Sequence, residues 1–268
     1  MQQIFLGPAG SPKTSTLEGI PYVKEVGLQA MEVQFVRGVH MSVDLAKKIH
    51  DVNKNFNIKL SIHSPYYINL ASEEKKKIQE SKQRILDSCE RAHYLNASPV
   101  VFHPAYFGNL EKENVFKIVK EEIKDVIKTV KKNKWNTEIA SETTGRHSAF
   151  GNLDETISLV KETKCGICID LAHIYARNQG KIDYVEVLDK VKSLKLKHLH
   201  FHFSGINYSD KGELNHLTLS QGGPNFEPFA KEILKRKINC TIISESPITW
   251  KDSLNMKKTF EKLGYKFI

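Results

Sequence analysis

The chain has 268 residues, 40% of them hydrophobic and 26% charged, and carries a formal net charge of +9. That length suits one large α/β domain or two small ones, and no apolar run approaches the ~20 residues that span a bilayer. The positive balance favours a polyanionic partner such as nucleic acid, although Lys-rich helix faces also serve simply to keep a protein soluble. The start, Met1-Gln2-Gln3-Ile4-Phe5-Leu6, has neither a basic region nor a long apolar segment, so no secretory leader is expected. Four scattered cysteines are too few for a disulfide framework, which points to a reduced, cytoplasmic setting.

Short apolar runs alternate with amphipathic stretches along the chain. Strands are predicted at Gln3–Leu6, Met31–Phe35, Leu60–His63, Val100–His103, Glu138–Glu142, Gly166–Asp170, His198–His202 and Thr241–Glu245. Helices are predicted at Thr16–Val26, Val43–Asn55, Glu73–Leu95, Lys112–Asn133, Leu153–Thr163, Tyr184–Leu194, Phe226–Arg236 and Ser253–Leu263. Ser42, Ser72 and Asn152 stand where N-caps belong, the last with Glu155 nearby. Eight strand–helix units are what a (β/α)8 TIM barrel requires. No linker divides them, so residues 1–268 read as a single α/β barrel domain. A doubly wound open sheet is the structural alternative, but no G-x-G-x-x-G turn follows any strand.

Six of these strands end on a side chain that can bind a metal: His63, His103, Glu142, Asp170, His202 and Glu245. His173 follows Asp170 by one helical turn. Side chains alternate across a strand, so if these ends point inward, the layer beneath is Ser61, Val101, Ala140, Cys168, His200 and Ile243. The outward set is then Ile62, Phe102, Ile139, Ile169, Phe201 and Ile242, uniformly bulky and apolar, as a surface under helices demands. His200 falls deeper than His202, in a supporting position. Cys165 and Cys168 form a C-x-x-C but point to opposite faces, and packed core thiols are the reading preferred over zinc or redox roles.

Three carboxylates converging on one mouth without cations are costly. Imidazole and carboxylate donors suit Zn2+, with Mn2+ or Fe2+ as alternatives, and seven donors exceed what one ion uses. A cluster of two or three ions follows. Two ions about 3.5–4 Å apart can clamp an in-line displacement at phosphorus, with a metal-bridged hydroxide as nucleophile. Phosphodiester hydrolysis is the chemistry such a site serves best.

The runs Ser61-Ile62-His63-Ser64-Pro65-Tyr66, Phe102-His103-Pro104, Glu142-Thr143-Thr144-Gly145, Asp170-Leu171-Ala172-His173, His202-Phe203-Ser204-Gly205 and Glu245-Ser246-Pro247 resemble, in order, the endonuclease IV family of apurinic/apyrimidinic endonucleases. The resemblance implies a TIM barrel with its metals at the C-terminal mouth of the strands. It also implies a base-excision repair hydrolase that cuts double-stranded DNA 5′ to abasic sites with three zinc ions. Carried over by motif, His63 and His103 hold one zinc, and Glu142, the catalytic carboxylate, bridges to a second completed by Asp170, His202 and Glu245. His173 and His216 belong to a third, while Arg37 and Tyr66 are placed against the DNA. The family's Asp-x-His is missing before His216, where Leu214-Asn215 stand; Glu213 is one residue too early, and Asp210 is the other candidate. A monomer without membrane attachment is expected. The alternative is a sugar isomerase or epimerase of the same barrel superfamily, using one or two divalent ions and lacking the histidine pair represented by His173 and His216.

Overall fold

The computed structural model of the chain describes residues 2–267. In chain order the main elements are β1 (Ile4–Pro8), α1 (Thr16–Glu25), β2 (Ala30–Gln34), α2 (Val43–Asn53), β3 (Lys59–His63), α3 (Lys75–Leu95), β4 (Val100–Phe102), α4 (Lys112–Lys132), β5 (Ile139–Glu142), α5 (Leu153–Thr163), β6 (Gly166–Asp170), α6 (Leu171–Arg177), α7 (Tyr184–Lys192), β7 (Leu199–Phe203), α8 (Phe226–Lys235), β8 (Cys240–Ser244) and α9 (Trp250–Lys262). The eight strands run parallel in spatial order β1-β8-β7-β6-β5-β4-β3-β2. Between β1 and β2, Gln29 N–H donates to Leu6 O at 3.0 Å and Gly10 N–H to Glu32 O at 2.8 Å, which brings the sheet round into a barrel. Gly7 sits at that seam, where a Cβ would lie 1.8 Å from Ala30 O, so only glycine lets the strands meet.

The helices form for local reasons the sequence carries. Asn152 and Glu155 make a reciprocal capping box at α5, and Ser42 accepts from Leu45 N at α2. Ser72 does not cap α3. Its hydroxyl accepts from Glu74 N in a preceding non-helical turn, and the helix starts at Lys75, two residues later than predicted. Helix α4 buries Val115, Val119, Ile123, Val126 and Val130, a 3–4 spacing that turns one face to the sheet. Helix α6 was not expected. It leaves β6 directly and is only seven residues long, too short to show a period.

Alternation across the strands separates two cores. Ile62, Phe102, Ile139, Ile169, Phe201 and Ile242 join the large apolar layer between strands and helices, as does Cys165. Val101, Ala140 and Cys168 form a small separate cluster inside the barrel. Ser61, His200 and Ile243 are buried as well but stand outside the strand–helix layer. All four cysteines are free and buried. No helix among the described residues is long and apolar enough to cross a membrane.

Candidate metal centre

Strand ends bring the donors to one place. Glu142 closes β5 with its carboxylate wholly buried, and four imidazoles surround it. His63 Nε2 and His103 Nε2 each lie 3.0 Å from Oε2. On the other side, His202 Nδ1 lies 3.1 Å and His173 Nδ1 3.4 Å from Oε1. The two oxygens of one carboxylate therefore face two different sets of partners. Glu245, one residue past β8, stands 3.5 Å from His202 Nδ1. Asp170 ends β6, and its Oδ1 accepts from His173 N at 2.6 Å, starting α6.

Backbone carbonyls orient two of the rings. His63 Nδ1–H donates to Ser64 O at 2.8 Å and His173 Nδ1–H to Thr143 O at 2.9 Å, so Nε2 of each is the nitrogen that could give up its proton and face a cation. His173 Nε2 faces Glu213 Oε2 at 3.1 Å. Glu213 belongs to a hairpin of Gly205–Ser209 and Gly212–Leu217 that follows β7, in which Ile206 pairs with His216, Asn207 with Asn215 and Tyr208 with Glu213. Leu214 is thus an extra residue, a bulge. Residues three apart on a regular strand point to opposite faces, but one bulged residue between them restores a common face. That is how Glu213, one position early in sequence, reaches the same site as His216. Asp210, at the hairpin turn, is exposed. Gly145 makes room for the carboxylate, since a Cβ there would lie 2.2 Å from Glu213 Oε2, and Gly145 N–H donates to that oxygen at 3.1 Å.

The donor set fits metal ions. Ligand-type atoms of His63, His103 and Glu142 lie within 4.8 Å of one another, as do those of Glu142, Asp170, His173 and Glu245, and those of His173, His216 and Glu245. Asp170 Oδ2 is buried with no hydrogen-bond partner, the nearest ring nitrogen, His173 Nδ1, standing 3.6 Å away. Burial pushes the Glu245 carboxyl up to about 8, with the charges of Glu142 and Asp170 adding to the rise. Burial alone would also raise Glu142, but the His103 and His202 imidazoles outweigh it and hold this carboxyl well below its ordinary value. Burial would lower His63, yet its bond to Glu142 wins and the ring is raised to about 9. Among the described residues no Lys or Arg ion-pairs with Glu142, Asp170 or Glu245; shared protons are what balance the acids, and divalent cations would replace them.

The cluster opens onto a pocket of about 530 Å3 lined in part by Val36, Tyr66, Tyr106, Arg146, His216 and Glu245. Tyr66 is 51% exposed, and its ring lies 5.7 Å from that of His63. Arg37 is exposed and lines an adjoining surface depression with Gly38 and His40, not the pocket itself. The expected donors His63, His103, Glu142, Asp170, His173, His202, Glu213, His216 and Glu245 come to this mouth, and Asp210 does not. Sequence reasoning missed Arg146 and Tyr106 on its wall, and Glu32 beneath it. His200 is not at the mouth: its Nε2 meets Glu32 at 3.1 Å, one level down.

The model of the xylose isomerase-like TIM barrel family matches residues 20–263. Uncharacterized protein MJ0133 of Methanocaldococcus jannaschii is 32% identical over 97% of this chain and 98% of its own length. A probable endonuclease 4 of Mesomycoplasma hyopneumoniae (strain J) is 25% identical over 56% of this chain, which spans 55% of that relative. Among solved structures, endonuclease IV from Thermus thermophilus superposes with a TM-score of 0.73 at 18% identity over 98% of both chains. A D-tagatose 3-epimerase-like protein gives 0.75 at 19%, over 98% of this chain and 96% of its own. At such identities the structural likeness is one of fold.

Proposed function

The chain belongs to the xylose isomerase-like TIM barrel family, and from that premise we propose that it is a zinc-dependent DNA repair endonuclease that hydrolyses the phosphodiester 5′ to abasic sites. The observation that carries this reading is the division of Glu142, with Oε2 turned to His63 and His103 and Oε1 to His202 and His173. A carboxylate so placed is built to bridge. His63, His103 and Glu142 would hold one ion, Glu142 with Asp170, His202 and Glu245 a second, and His173, His216 and Glu213 a third. When bound, such ions supply a nucleophile from water at neutral pH and polarise the phosphoryl oxygens.

The protein's own residues do the rest. Arg146 lines the pocket with its guanidinium 3.5 Å from Glu213 Oε1, on the wall where a phosphate would approach. Tyr66 and Tyr106 offer half-exposed rings on which an unstacked base or sugar can rest. Burial and the charges of Glu245 and Glu142 push the Tyr66 hydroxyl up to about 12, so it stays protonated and acts as a donor.

The competing reading is a sugar isomerase or epimerase, favoured by the equally close fold likeness to an epimerase-like protein. One or two ions would suffice there, and His216 with Glu213 would have no task. Metal analysis and cleavage of a duplex bearing one tetrahydrofuran site, run on one preparation, separate the two. Close to three zincs per chain with incision 5′ to the lesion is the expected result. Full zinc occupancy with an uncut duplex would sink the nuclease reading.

A further inference from the structure

Beneath the donor cluster lies a carboxylate that the proposed function has not used. Glu32 is in the middle of β2, wholly buried, with no Lys or Arg beside it among the described residues. Its Oε2 accepts from Ser61 Oγ at 2.8 Å and from His200 Nε2 at 3.1 Å, and its Oε1 accepts from Gln34 Nε2 at 3.1 Å. The remaining partner is His202, whose Nε2 lies 3.1 Å from Oε1 and 3.3 Å from Oε2. Four side chains from three strands, one of them at the end of β2 itself, thus fix this one group.

The consequence falls on His202. An imidazole that binds a cation must be neutral and must offer the nitrogen that carries no proton. At His63 and His173 a proton sits on Nδ1, held by a backbone carbonyl, and Nε2, turned to Glu142 and to Glu213, is the nitrogen left for a cation. His202 is turned the other way, with Nδ1 facing Glu142 at 3.1 Å and Glu245 at 3.5 Å. That nitrogen is free only if Nε2 keeps the proton, and Nε2 keeps it by donating to Glu32. We propose that Glu32 is a positioning residue of the metal centre, which fixes His202 in the Nε2–H tautomer and so presents Nδ1 to the ion shared with Glu142 and Glu245. This rests on the metal-holding part of the proposed function, not on the reaction catalysed. A carboxylate behind a ligand histidine also raises the basicity of the ring. Ser61, Gln34 and His200 hold Glu32 in turn.

Two measurements test this. In zinc-loaded wild-type protein, 15N NMR of the imidazoles should show His202 protonated at Nε2 and metal-bound at Nδ1, whereas His63 and His173 show the reverse. A His202 ring protonated at Nδ1 overturns the proposal without any variant. In Glu32→Gln, which keeps the shape but loses the charge, zinc competition against a chelator should reveal one class of site weakened about 10- to 100-fold, the class held by His63 and His103 being unchanged. Unchanged affinity in every class overturns the proposal and leaves the nuclease reading intact. Zinc bound as expected in protein that does not cut DNA sinks the nuclease reading and leaves Glu32 its role. Ligand-type atoms of Cys168, His200 and His202 also lie within 4.8 Å of one another. A zinc beyond three per chain that disappears in Cys168→Ser would make this lower layer a metal site of its own and overturn the positioning role.

Discussion

At the scale of single residues, the centre is a set of acids and imidazoles that the metal-free chain can tolerate only by sharing protons. Glu245 sits beside His202 and His216, and its carboxylate holds no main-chain group of the fold. Glu245→Ala should therefore leave the barrel and duplex binding in place and lower cleavage at least ~100-fold, since losing even an outer-shell partner of a metal ligand typically costs about 10- to 100-fold. Single-turnover cleavage and a binding isotherm on the same lesion duplex measure both; a variant that binds weakly but cuts normally once bound would contradict the assignment. The protons themselves give a second outcome. His63 is raised from 6.5 to about 9 when folded, so the stability it contributes is whole below pH 6.5 and is lost as pH climbs through about 9. Glu245, raised from 4.5 to about 8, keeps a proton that the unfolded chain has already released, so its effect has the same sign over that range. His173 and His202 are also raised, whereas the lowered rings of His198, His200 and His216, half charged at pH 6.5 only in the unfolded chain, oppose the trend up to about pH 7.5 and are neutral in both states beyond it. Chelator-treated protein should accordingly melt at falling temperature from about pH 7.5 to 9, with zinc-loaded protein much flatter, because a bound imidazole is already neutral. A flat metal-free midpoint would show the cluster is not proton-linked, and one that rises with pH would show that it releases protons on folding.

At the scale of elements, the hairpin after β7 decides whether the third set of donors exists. Glu213 and His216 share a face only because Leu214 is bulged between them. Deleting Leu214 removes the extra residue and sends Glu213 to the far face, and Gly145→Ala pushes its carboxylate out of the space it occupies. Either change should cost one zinc per chain while the remaining ions and the fold persist; three zincs retained in both variants would mean that Glu213 is not a ligand. The same hairpin shows where sequence reading stops. Parity along β3 to β8 was legible because strand alternation is a local rule, and one inward ligand fixes its neighbours. The bulge was not, because the pairing of Asn207 with Asn215 and Tyr208 with Glu213 is decided across two strands. Glu32 was invisible for a related reason. In Ala30-Met31-Glu32-Val33-Gln34 a lone acid reads as a solvent-facing position, and its partners Ser61, His200 and His202 come from β3 and β7, distant in the chain. Helix α6 escaped because one helix turn after Asp170 looks like a loop until the Asp170 cap is seen.

At the scale of the molecule, the barrel converts eight short strands into one mouth, and what surrounds that mouth decides what can approach it. The closed parallel sheet places the C-terminal ends of β3 to β8 side by side, so each needs to supply only a single donor. The net charge of +9 belongs to the same scale, because it is not spent at the centre: among the described residues Glu142, Asp170 and Glu245 have only imidazoles as ion-pair partners, and Lys–acid pairs such as Lys231–Glu227 lie on the helices. Two accounts of that excess charge make different demands. If the basic side chains only keep the protein dispersed, affinity for a lesion duplex comes from the mouth alone and changes little with salt. If they neutralise phosphates along the duplex, binding releases condensed counterions, and with six or more phosphates contacted the affinity falls about 10³-fold or further between 50 and 200 mM salt. The proposed function requires the second. A duplex with one tetrahydrofuran site, titrated at several salt concentrations without cleavage in the zinc-stripped protein, reads the slope directly. A steep slope shared by lesion and undamaged duplex, with Arg37→Ala and Arg146→Ala each making it shallower by about one phosphate equivalent, places both arginines on the backbone path. A flat slope would leave the charge as a solubility feature and remove the electrostatic support for DNA as the substrate.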